Sequence, residues 1–62
     1  MAHSLQYQIG QSIRTIEAET ERLLNLAIAL KEAGDIELAK AVLMQAQKLV
    51  EAAAGLRIAI AG

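Results

Sequence analysis

Large aliphatic residues return every seven positions along the first half of this chain, at Ile9, Ile16, Leu23 and Leu30, with Ile13, Thr20 and Ala27 at intermediate positions. That spacing draws one stripe along a helix and is the seam of a supercoiled helix pair. Tyr7, Arg14, Glu21, Asn25 and Glu32 fall on the opposite side and are expected to face solvent. The second half carries a matching stripe of Ala39, Val42, Ala46, Leu49, Ala53 and Leu56, with Leu43 and Val50 beside it. Alanine at every seventh position permits close backbone approach, while Glu37, Lys40, Gln47, Lys48 and Glu51 form the polar side.

Gly34-Asp35 separates the two stripes. Glycine suits the left-handed position just past a helix end, and the Asp35 carboxylate can cap the helix that follows. Glu37 adds an acid to the first turn, where the helix dipole favours it. A connection this short makes the helices antiparallel neighbours. The expected fold is all-α, a single-domain antiparallel helix-turn-helix hairpin: helix 1 over about 4–33, the turn at 34–35, and helix 2 over about 36–61. The start of helix 1 is safer at Ser12, and helix 2 is firm only to Ala54. Beyond it, Leu56 to Ile60 alternates as a strand does, yet a lone strand leaves its ladder unpaired, so continued helix is favoured with Gly55 as a local cost. If so, Arg57 falls near the apolar flank and Ile58 on the polar side; either the helical phase shifts after Gly55 or this end meets a different neighbour.

The stripes do not use up the apolar residues. Hydrophobic residues make up 55% of 62, and Leu23 to Leu30 (LLNLAIAL) is apolar nearly all round. Leu24 and Ile28 lie on a flank roughly 100° or more from the seam, at about 100° per residue. On helix 2, Met44 sits amid the polar side with Ala41 at its margin, either as a contact residue or as one tolerated exposed methionine. A chain this short needs a staple such as a disulfide, a metal or oligomerisation. There is no cysteine and one histidine, which leaves oligomerisation. The charged fraction of 21% lies below the roughly 25–35% of a fully exposed surface. Asn25 interrupts the most apolar segment but points outward by phase.

Charge and motifs exclude more than they suggest. A net charge of −1 and a single aromatic, Tyr7, give neither a basic face nor a stacking platform for nucleic acid. No uncharged stretch reaches the roughly 18–20 apolar residues of a membrane span. The polar start is not a signal peptide, so a cytoplasmic location is the default expectation. Glu17, Glu19 and Glu21 form the one acidic cluster, read as a solvated helix face with Arg14 and Arg22 nearby rather than a metal site. Met-Ala-His at the amino terminus is a copper- or nickel-chelating pattern, though a frayed tail is the plainer reading of His3. Ser4, Ser12, Thr15 and Thr20 lack a base for nucleophilic chemistry, and the isolated glycines form no phosphate loop.

Leu23 to Ala46 resembles a tetratricopeptide-type helical hairpin, with small Ala27 on the first helix, Gly34-Asp35 at the turn, and Ala39 and Ala46 on the second. More broadly, EAGDIELAKAVLMQAQKLVEAA looks like computationally designed helical protein, with its minimal Gly-Asp turn, alanine-rich helices and almost no aromatics. That likeness implies a symmetric homo-oligomer, from a small bundle to a closed cage or shell, and supplies no functional residues. The expected function is therefore structural self-assembly through Leu23, Leu24, Ile28, Ala41, Leu43, Met44 and Leu49. The partner is the chain itself; no enzyme activity, cofactor, metal or small-molecule substrate is expected. The alternative is a binding module that accepts an amphipathic helix from another protein.

Overall fold

The structure, a computed structural model, describes residues 2–61 of the chain, with side chains from Ser4 onward. Two helices, α1 (Ala2–Glu32) and α2 (Ile36–Ala61), pack along each other as a hairpin. Its extents are 49 × 15 × 10 Å, and the long axis is what about 1.5 Å per residue gives for the 31 residues of α1. The radius of gyration is 14.5 Å, against about 10.5 Å for a globular chain of this length. This is a rod of two helices with no third layer.

The turn is closed by backbone hydrogen bonds and one side-chain cap. Gly34 has a φ of +90°, a conformation that an L side chain strains to reach. The Gly34 N–H donates to the Lys31 carbonyl at 3.0 Å and the Asp35 N–H to that of Leu30 at 2.9 Å, the paired bonds of a Schellman closure. Asp35 then starts α2: its Oδ1 accepts from the Leu38 N–H at 3.2 Å, and its carbonyl accepts the first helical bond, from Ala39, at 3.0 Å. Lys31 in the last turn of α1 and Glu37 in the first of α2 both match their helix dipoles. Ala33 enters the turn, so α1 ends one residue before the expected boundary.

Both uncertain ends of the hairpin are helical. α1 begins at Ala2 rather than near Ser12. Ile9 is half-buried at its place in the seam, and that contact outweighs the roughly 1 kcal/mol that Gly10 costs a helix. The 55–61 tail continues α2, and no phase shift follows Gly55. Leu56 and Ile60 stay half-buried in step with Ala53, while Ile58 is left 74% exposed.

The seam consists of two rows with different fates. Ile13, Thr20, Ala27, Ala39, Ala46 and Ala53 are buried, whereas Ile16, Leu23, Leu30, Val42, Leu49 and Leu56 are only half-buried. A hairpin folded at Gly34–Asp35 sets positions equally far from that junction at one level. Leu30 then stands level with Ala39, Leu23 with Ala46, and Ile16 with Ala53; on the other diagonal, Val42 meets Ala27 and Leu49 meets Thr20. These levels pair a large residue with a small one, which is how close-packed layers interlock, whereas toward the open end Ile13 stands level with Leu56 and Ile9 with Ile60. The one polar member, Thr20, donates its hydroxyl to the Ile16 carbonyl at 2.8 Å, so no buried donor is left unmet there.

Candidate functional site

With no third layer, the hairpin leaves apolar surface open. Its accessible surface is 4787 Å², whereas a globular chain of 6.6 kDa exposes roughly 3900 Å². Among the described residues Ile13 is the one large side chain that is buried, and eleven large hydrophobic residues are at least 42% exposed. These residues are spread over three sides of the rod.

One side is a groove. Because the buried row is small at Thr20, Ala46 and Ala53, the surface sinks between the helices there. A depression of about 240 Å³ is lined by Glu17, Thr20, Val50, Ala53, Ala54 and Arg57. A second, of about 420 Å³, continues it past Val50 between Leu24 and Leu43. Arg57 crosses the far end of the groove: its Nη2 and Nε reach the same Glu17 oxygen at 2.6 and 3.2 Å. Both partners of this pair remain about half exposed, so it contributes at most about 1 kcal/mol.

The opposite side is a ridge. Helical phase places the half-buried row, Ile16, Leu23 and Leu30 on α1 and Val42, Leu49 and Leu56 on α2, on the face away from the groove. Leu26 and Leu38 flank that row and are 47% and 49% exposed. Ser12, Glu19 and Gln45 are the polar residues at the flanking positions. The third apolar region is the outer side of α2, where Ala41, Met44 and Ile58 face away from α1.

The residues expected to mediate assembly are therefore not one patch. Leu23 and Leu49 belong to the ridge and Leu24 and Leu43 to the groove walls. Ile28 lies exposed one turn beyond Leu24, and Ala41 and Met44 lie on the outer side of α2. Leu24 stands nearer to α2 than its angle suggested, since it shares a depression with Leu43 and Ala46. Leu26, Leu38 and Ile36, also exposed, escaped the sequence reading; their phase relative to the seam was the available signal.

The acidic cluster is divided. Glu17 turns to Arg57 across the groove, Glu19 pairs with Arg22 at 2.8 Å, and Glu21 faces outward. Among the described residues, no three His, Cys, Asp or Glu side chains gather where they could hold a metal. The His3 side chain, on which the chelating pattern depends, lies outside the described side chains. The Thr15 hydroxyl donates to the Gln11 carbonyl at 3.1 Å, as Thr20 does to Ile16, so both serve their own helix. Asn25 is exposed, and Gln11 Nε2 donates to the Tyr7 hydroxyl at 2.7 Å. Among the described residues no helix is long and apolar enough to cross a membrane.

Comparison with protein-family models, curated proteins and solved structures yields no match to this chain.

Proposed function

We propose that this hairpin is a structural subunit that associates with copies of itself into a symmetric homo-oligomer and performs no catalysis. The supporting observation is the unfinished core: Ile13 alone of the large aliphatic residues is buried, those of the second seam row are half-buried, and Leu24, Leu26, Ile28, Leu38, Leu43 and Val50 are exposed. Burial of that surface, at about 25 cal/mol per Å² of apolar area, drives the association. Isologous pairing gives a four-helix bundle, and the additional apolar sides offer contacts that would extend a bundle to a closed cage or shell.

The short Gly34-Asp35 turn with its Schellman and Asp35 cap bonds, between alanine-rich helices with a single aromatic, is the ground on which we read the chain as designed. The tetratricopeptide-type likeness rests on Leu23 to Ala46 alone and is not part of the proposal. Helices of 31 and 26 residues exceed what a repeat of about 34 residues holds in total. The groove favours a second reading, in which an amphipathic helix of another protein lies between Leu24 and Leu43.

Thermal unfolding over a wide range of protein concentration separates the two. Self-association predicts a Tm that rises with concentration, because assembly stabilises the folded state by mass action. A cooperative transition at one Tm across that range overturns the proposal and leaves the binding module.

A further inference from the structure

We infer that the groove face is a contact between two copies of this chain, which lie antiparallel with the turn end of each over the open end of the other. This rests on the self-association proposed above and adds the face and the orientation to it. The groove side holds Leu24 and Ile28 on α1 and Ile36, Leu43 and Val50 on α2, all of them exposed. Charges on the same side select the partner. Helical phase sets Arg14, Glu17, Glu21, Leu24, Ile28 and Lys31 in that order along the groove edge of α1. Among the described residues Glu17 pairs with Arg57 and Glu19 with Arg22, whereas Arg14, Glu21 and Lys31 make no ion pair.

That order is complementary to its own reverse. Two α1 helices laid antiparallel about the level of Leu24 set Glu17 of each copy opposite Lys31 of the other. Leu24 then meets its own counterpart. Arg14 comes over the second copy's turn, where Asp35 and the carbonyl end of α1 are both negative. On α2 the same operation sets Ile36 over Ala54, a small residue that lines the depression at the open end of the groove. Parallel pairing, about an axis along the rod, instead lays α1 over the second copy's α2 at equal levels. Lys31 then faces Lys40 and Arg14 faces Arg57, each twice, and such like-charge contacts oppose association. Flanking charges fix the orientation of paired helices in this way. A second copy carries the reciprocal order by identity, and a helix of another protein is under no such constraint.

The test uses exposed positions outside the seam, so that the hairpin itself is spared. Glu17→Lys and Lys31→Glu each set like charges across the contact and are expected to weaken association about tenfold, read by light scattering over a dilution series. An equimolar mixture of the two variants restores both pairs in one dimer and is expected to recover the parent's mass. Because the chain has no cysteine, single thiols give a second readout that does not depend on the charge variants. Leu24→Cys is expected to oxidise to a disulfide-linked dimer, since antiparallel copies bring that position onto itself. A mixture of Lys31→Cys and Lys40→Cys is expected to cross-link about tenfold or more slowly, since only parallel copies bring those two together. Single charge variants that associate as tightly as the parent, a mixture that stays dissociated, or a faster cross-link between positions 31 and 40 overturns the assignment of face and orientation. A parent that is monomeric at every concentration defeats the underlying self-association instead and leaves the groove to a helix of another protein, so the two failures are distinguishable.

Discussion

The two sides of the helix seam start from the same spacing and end as opposite surfaces. On one side Thr20, Ala46 and Ala53 leave a floor so close to the helix axes that it is buried, yet open to a groove above it. On the other side Ile16, Leu23, Leu49 and Leu56 are half-buried, whereas Ile13 is the one large residue of the close row and is 2% exposed. The alanines thus decide the fate of the leucines. A row that is mostly small lets the two helices approach closely, and the large row beside it is left half-buried.

Substitutions that equalise the rows break this comparison most severely. Ala46→Leu places a second leucine at the level of Leu23 in the row of closest approach, where Ala46 is 1% exposed. It is expected to destabilise the fold by about 1–3 kcal/mol in denaturant titrations at fixed protein concentration. Leu49→Ala, on the ridge, is expected to cost the isolated hairpin less; the reverse order would remove the distinction between the rows.

Smaller effects sharpen the picture at the ends of the rod. Gly34→Ala forces a side chain into a φ of +90° and is expected to cost about 1–2 kcal/mol of unfolding free energy, because the turn keeps the two rows level. Gly55→Ala has the opposite sign. A Cβ there meets nothing within 4 Å, so the helix gains about 0.5–1 kcal/mol, read as a higher midpoint in the same titration. The least effect belongs to Glu17→Gln, which removes the charge from the pair across the groove. A loss below about 1 kcal/mol that shrinks further in high salt is expected.

Much of this fold was legible in the residue spacing. The seam positions, the outward Asn25 and the Gly34-Asp35 closure all follow from period and turn chemistry, which are local properties. What was not legible depends on register between the helices. Arg57 and Glu17 lie forty residues apart and meet only because the hairpin folds at Gly34–Asp35 and puts their flanks on one side. The tail was ambiguous because Leu56 to Ile60 alternates like a strand, and only the level of Ile9 and Ile60 in the seam settles its phase. The residues expected to mediate assembly are scattered for a related reason. An angle on one helix shows that Leu24 is off the seam, but the position of the second helix decides that Leu24 walls a groove while Leu26 borders a ridge.

Self-association, as proposed above, would make this chain a subunit rather than a finished fold. Its most direct test is the mass of the parent chain at micromolar concentration, by size-exclusion chromatography with light scattering, alongside its helicity. Self-association predicts a helical species whose mass is an integral multiple, twofold or more, of the 6.6 kDa chain. A fully helical, cooperatively folded species of 6.6 kDa would contradict it.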